Sequence, residues 1–120
     1  MMKIGERREI RRVFTTEDVG AIAALGGGTA GDTVPEPLIA ALFSYLLGVE
    51  LPGPGTNYLK QEIVFAAPAP LGAPLVASVE VIRLRPEKGL VDLWAAARLE
   101  DGTLVAEGRS LVKFADLAKA

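Results

Sequence analysis

The stretch PEPLIAALFSYLL, Pro35 to Leu47, restricts this chain more than any other part of it. After Glu36 it holds no charged residue, and its apolar side chains fall on every side of a helix. Prolines at 35 and 37 suit a first helical turn, where the N–H groups have no intrahelical acceptor in any case. A helix of this kind offers water no polar face, and it is shorter than the roughly 20 residues that cross a bilayer. The sequence therefore predicts an interior helix that the rest of the chain must wrap.

The flanking segments supply the wrapping. Arg7 to Phe14 reads as a short strand, and Thr15 then stands as a hydroxyl cap ahead of Glu17 and Asp18 and the apolar stripe Val19, Ile22, Ala23 and Leu25. Glycines 26 to 28 stop that short amphipathic helix. After the turn ELPGPGT the apolar period falls to two, giving strands over Tyr58–Phe65, Leu75–Leu84, Leu90–Leu99 and Thr103–Phe114. The turn-rich AAPAPLGAP, then PEKG and an Asp-Gly pair at 101 and 102, separate them. No repeat or linker interrupts the chain, so residues 1–120 read as one α+β domain, with four consecutive antiparallel strands curled around the apolar helix. A curled sheet leaves an open edge, and pairing edges between two copies protects it, so a dimer is expected.

Composition narrows the chemistry. Thirteen basic against fifteen acidic residues give a net charge of −2. The arginine pairs 7–8 and 11–12 read as a solvated strand face rather than a nucleic-acid surface. With no cysteine there is no disulfide, thiol nucleophile or thiolate metal site, and with no histidine the commonest neutral-pH base and metal ligand are gone. No metal is expected. MMKIGERREI has no apolar signal-peptide core and no run is long enough for a membrane span, so a cytoplasmic protein without a membrane partner is the expectation.

LGGGTAGDTVPEPL, Leu25 to Leu38, contains a match to G-x-G-x-x-G at Gly26, Gly28 and Gly31. That pattern cradles phosphates only where a strand feeds a helix inside a parallel βαβ unit. Here a helix precedes it, a run of antiparallel strands follows, and Pro35 and Pro37 remove two donors from the next helix. A dinucleotide site is excluded on that context.

FSYLLGVELPGPGTNYLKQEIVFAAPAPLGAPLVASVEV, with FTTEDVGAIAALGG upstream and AEGRSLVKF downstream, resembles the MaoC-like, (R)-specific enoyl-CoA hydratase family. The likeness runs from about Gly5 to Phe114, and PGPGT-x-YL-x-Q is its most specific run. It implies the hotdog fold, a buried central helix wrapped by an antiparallel sheet. It also implies dimers and an acyl thioester held near the dimer interface: acyl-CoA as ligand or substrate, or an acyl carrier protein thioester, with no cofactor. The family's hydratases carry an Asp and a His between the first and the central helix, then a glycine whose N–H holds the thioester carbonyl. Sliding VPEPLIAALFS onto the family's central helix puts Pro35 in the place of the His, Glu36 in that of the glycine and Gly28 near the Asp, in a shorter connection.

The dyad therefore has no counterpart, and Asp32 and Glu36, four residues apart, are the candidate catalytic carboxylates. A carboxylate pair can divide into a base and a raised-pKa acid, or be a loop residue and a first-turn acid and nothing more. The first-turn N–H groups of Leu38 and Ile39 are candidates for polarising a thioester carbonyl. Leu42 and Phe43 are candidates for an acyl tunnel, and Pro54, Gly55, Thr56, Tyr58 and Gln61 for substrate binding, with Tyr58 and Gln61 placed to touch an acyl chain or the thioester. Three functions stay open: a binding or partner subunit paired with a dyad-bearing hotdog chain, a hydratase or thioesterase working through Asp32 and Glu36, and a structural dimer with a vestigial pocket.

Overall fold

Thr15 opens the first helix by a reciprocal pair of bonds. In the computed structural model, which describes residues 2–26 and 31–117, strand β1 (Arg7–Arg12) leads into helix α1 (Thr16–Ala24). The Thr15 hydroxyl accepts the Asp18 N–H at 3.3 Å and the Asp18 carboxylate accepts the Thr15 N–H at 2.8 Å. Leu25 and Gly26 close the helix, and Gly26 does so at φ +87°, where a side chain would be strained. Gly27 and Gly28 lie outside the described residues.

Helix α2 (Glu36–Tyr45) starts after Pro35 and runs past its predicted end. It widens into one further turn, Leu46–Glu50, in which the Leu51 N–H reaches back to the Leu46 carbonyl at 2.8 Å. Ile39, Leu42, Phe43, Leu46 and Leu47 are all buried, but Pro37, Ala41, Ser44 and Tyr45 are exposed, so the sheet covers one side of the helix and does not wrap it all round as the sequence predicts. PGPGT then folds on itself: the Thr56 hydroxyl donates to the Gly53 carbonyl at 2.7 Å.

Around the helix lies a six-stranded antiparallel sheet, completed by β2 (Thr56–Gln61), β3 (Val64–Phe65), β4 (Leu75–Arg85), β5 (Leu90–Leu99) and β6 (Leu104–Phe114). Its order is β1–β4–β5–β6–β2, with β3 also on β6. This corrects the four-strand run: only β4, β5 and β6 are consecutive neighbours, and β2 sits against β6. Between β1 and β2 the chain spends itself on the helices, so it returns to the sheet on the opposite edge and the two strands flank α2 from either side.

The strand predicted over Tyr58–Phe65 is also split, at Glu62 and Ile63. Gly108 is the cause. The Glu62 N–H donates to the Arg109 carbonyl at 2.9 Å, and a Cβ at position 108 would overlap the Glu62 carbonyl. The two backbones come closest there, where only glycine fits, and the register is unbroken across it: Gln61 pairs with Ser110 and Val64 with Glu107, the shift in this pair lying earlier, between Tyr58 and Lys60.

The inner sheet face tapers. Ala77, Ala97 and Ala106 form one cross-strand row, Val79, Ala95 and Gly108 the next, and Leu84, Val91 and Val112 lie toward the other end. On the outer face Asp92 is only 2% exposed, because the Arg85 guanidinium closes over it at 2.7 Å while Arg109 stands at 3.7 Å. No helix of the described residues is long and apolar enough to cross a membrane.

Gly108→Ala forces the two strands apart at Glu62. It is expected to destabilise the fold by about 1–3 kcal/mol, as overpacking does, in urea unfolding monitored by circular dichroism.

Candidate functional site

Two cavities flank helix α2, and of the sequence candidates Glu36 and Ile39 line the first and Tyr58 and Gln61 the second. The first, about 290 Å³, lies at the helix mouth between Thr33, Val34, Glu36 and Ile39 on one side and Phe65 to Ala69 on the other. Phe65 pairs with Ala106 in the small-residue row, so the taper of the sheet leaves room there. The approach to the helix is held by backbone bonds: Val34 N–H to the Ala69 carbonyl at 2.8 Å and Leu71 N–H to the Asp32 carbonyl at 3.1 Å.

Glu36 lines this cavity; Asp32 does not, although both carboxylates are exposed. Their side chains make no hydrogen bond to each other or to any other described group. The first-turn donors are mostly spent. Pro35 and Pro37 have no N–H, and the Leu38 N–H bonds to the Pro35 carbonyl at 3.0 Å. Among the described residues, Glu36 has the one N–H before Leu38 in this turn, and no backbone acceptor meets it.

The second cavity, about 460 Å³, opens along the sheet edge between Ala40, Ala41 and Ser44 of α2 and Tyr58 to Gln61 of β2. Its inner wall is a polar cluster. The Ser110 hydroxyl donates to Gln61 Oε1 at 2.7 Å, and Gln61 Nε2 donates to the carbonyls of Glu62 and Arg109 at 3.1 and 3.2 Å. Burial pushes the Tyr58 phenol above its ordinary pKa, while a hydrogen bond with Ser110 pulls the other way. Tyr58 and Gln61 thus line one cavity. Ser44 lines it too and Ser110 lies behind Gln61, and the sequence reading singled out neither. Ser110 was legible as a hydroxyl at an inward position of β6, two residues before Val112.

The remaining candidates are placed as follows. Ile39 reaches the first cavity, whereas Leu42 and Phe43 are sealed in the core and Leu38 packs half-buried against it. Pro54, Gly55 and Thr56 line neither cavity. Gly55, at φ +96°, shapes the turn into β2, and a Cβ added there would meet the Phe114 ring at 3.5 Å.

A helix held in a curled antiparallel sheet is the hotdog fold, and solved structures agree. An (R)-hydratase from Aeromonas caviae superposes with a TM-score of 0.86 at 30% identity, over 94% of this chain and 97% of that one. An unliganded R-hydratase from Pseudomonas aeruginosa gives 0.86 at 26% identity, over 94% and 82%. The ChsH1-ChsH2 complex from Mycobacterium tuberculosis shares the fold at 13% identity with a TM-score of 0.79, over 95% and 99%. No family model matches the chain. In sequence it is 32% identical to the (R)-specific enoyl-CoA hydratase of Aeromonas caviae, over 93% of this chain and 95% of that protein. The chain belongs to the (R)-specific enoyl-CoA hydratase family. That alignment spans 127 positions, more than the 120 residues present, so the chain lacks residues that this relative has.

The raised Tyr58 pKa ties stability to pH. The unfolded phenol ionises first, from about pH 10, so this contribution is complete below that pH and is lost as pH rises through the higher folded value. Urea unfolding at stepped alkaline pH is expected to show the loss, and Tyr58→Phe to flatten it.

Proposed function

We propose that this chain is an acyl-thioester-binding member of the (R)-enoyl-CoA hydratase and 3-hydroxyacyl dehydratase type that lacks the Asp/His dyad, is inactive or weakly active alone, and serves as a partner subunit. The helix mouth carries the reading. No histidine exists anywhere in the chain, and prolines stand at both positions around Glu36. Positioned acid–base groups contribute about 10²–10⁴ in rate, and a lost oxyanion donor costs about 10²–10³. The Glu36 N–H remains as a carbonyl donor, but its carboxylate stands beside it and opposes the negative charge of a developing enolate. Binding survives such changes better than catalysis, because the cavity beside Ile39 and Phe65 is still there.

The sheet edges support a partner. Strand β1 guards its edge with Arg7, Arg8, Arg11 and Arg12, as proteins do to prevent pairing. The β2 edge instead exposes Tyr58 and Leu59 beside the open second cavity. A second hotdog chain pairing there, a copy of this one or a dyad-bearing homologue, extends the sheet and closes that cavity. The ChsH1-ChsH2 structure, which shares the fold, is a complex of two components.

A second reading rests on Glu36 at the cavity wall: a hydratase or thioesterase in which Glu36, helped by Asp32, activates water. One set of assays separates the readings. Acyl-CoA at a hundredfold excess over Kd adds about 2.7 kcal/mol of stability, so the melting temperature is expected to rise while crotonyl-CoA is not hydrated by the chain alone. Adding a dyad-bearing hotdog partner is expected to give hydration above that of the partner by itself. Turnover by the chain alone that vanishes in Asp32→Asn/Glu36→Gln replaces this reading with the second. No melting shift with any acyl-CoA length leaves a structural dimer with an empty pocket.

A further inference from the structure

The outer face of the sheet, opposite the helix, carries one cross-strand row of unusual order. Reading across β1, β4, β5, β6 and the link between β2 and β3, the register sets Arg7 beside Glu80, Glu80 beside Trp94 and Trp94 beside Arg109. Glu62 follows, its N–H on the Arg109 carbonyl. All five side chains are exposed; Arg7 pairs with Glu9 at 3.1 Å, Glu62 with Lys60 at 3.0 Å and Arg109 stands 3.7 Å from Asp92, while Glu80 has no ion partner among the described residues. Strands are spaced about 4.8 Å apart. The charges therefore stand about 5 and about 10 Å to either side of a central tryptophan, in the order plus, minus, Trp, plus, minus.

That order is antisymmetric about Trp94, and antisymmetry is what a two-fold interface of like surfaces needs. We propose that this face is a self-association surface. A second copy docks on it about a two-fold axis that runs along β5 and lies between the two sheets. The axis carries β4 onto the partner's β6 and β1 onto its link between β2 and β3. Each Glu80 then faces an Arg109, each Arg7 faces a Glu62, and the two Trp94 rings meet on the axis as an offset aromatic pair. The other in-plane axis, across the strands, would set Glu80 on Glu80 and Arg109 on Arg109, so the charges select one arrangement. The flanking rows agree with it. Ser78 faces Glu107, Val76 faces Leu104, and Ala96, on the axis, is small enough to let the sheets approach. Asp92 does not meet its own copy because Arg85 covers it. Arg98 is drawn aside by its bond to the Gly102 carbonyl at 3.1 Å.

Because the sheet is convex on this side, contact concentrates on β5 and the long charged side chains bridge the flanks. The surface is separate from the β2 edge, so the two together make a dimer of dimers.

Charge reversal tests this directly. Glu80 makes no hydrogen bond or ion pair within the described chain, so Glu80→Arg leaves the fold intact but sets like charges across the axis. In sedimentation velocity over a dilution series, Glu80→Arg is expected to halve the wild-type mass, and Glu80→Arg/Arg109→Glu to restore it. Since Arg109→Glu places a carboxylate near Asp92, the outer pair gives an independent version: Arg7→Glu weakens association and Arg7→Glu/Glu62→Arg recovers it. Trp94 is the sole tryptophan, so its emission is expected to shift to the red on dilution and in Glu80→Arg. A wild type that has no more mass than Glu80→Arg, a double reversal that does not recover, or Trp94 emission independent of concentration would overturn the proposal.

Discussion

A helix that must hide one broad apolar side, Ile39, Leu42, Phe43, Leu46 and Leu47, sets the terms for everything else in this protein. The cost of leaving Ile39, Leu42, Phe43, Leu46 and Leu47 in solvent, about 1.5–3 kcal/mol for each large side chain, obliges the sheet to curl until all of them are covered. Curling has its own requirements. The inner face must hold small side chains where backbone and helix approach, which Ala77, Ala97 and Ala106 supply, and the short flank at β2 and β3 must bend over Gly108. The cavity at the helix mouth is a by-product of the same taper, so site and core follow from one demand.

Much of this was legible in the residues. The change of period after ELPGPGT marked where helix gave way to strand, and Thr15 with Asp18 announced a capped helix. Absence of charge in LIAALFSYLL marked the central helix, but not the exposure of its far side at Pro37, Ala41, Ser44 and Tyr45. Sheet order was not legible, because strand patterning reports which face is buried and not which neighbour a strand has. The break at Glu62 and Ile63 was hidden for a related reason. Its signal, a glycine at position 108, lies far along the chain and acts on a carbonyl that no local pattern reveals. The extra turn at Leu46–Glu50 continued a helix through Gly48, a residue that ordinarily ends one.

The site was legible by type more than by geometry. Tyr58 and Gln61 proved to share a cavity, whereas Asp32 and Glu36, neighbours in spacing, do not: the backbone around Asp32 is zipped to Leu71 while Glu36 belongs to the helix. Pro54, Gly55 and Thr56 carry the most specific run of the sequence, yet in the structure they shape a turn and line neither cavity. A motif can mark a family because its backbone conformation is demanding, and Gly53 and Gly55, both at positive φ, show how demanding this one is.

The strand order has a consequence for how the molecule comes into being. Strand β1 is synthesised first, but its sheet neighbour β4 begins only at Leu75, after both helices and β2 have been made. Strand β6, the last of all, is the one to which β5, β2 and β3 all bond. A nascent chain therefore exposes its most apolar helix for most of its synthesis, and the keystone of the sheet arrives at the end. Folding dominated by such distant pairings is slow and open to aggregation. The interval before Phe114 emerges is when a chaperone has most to protect.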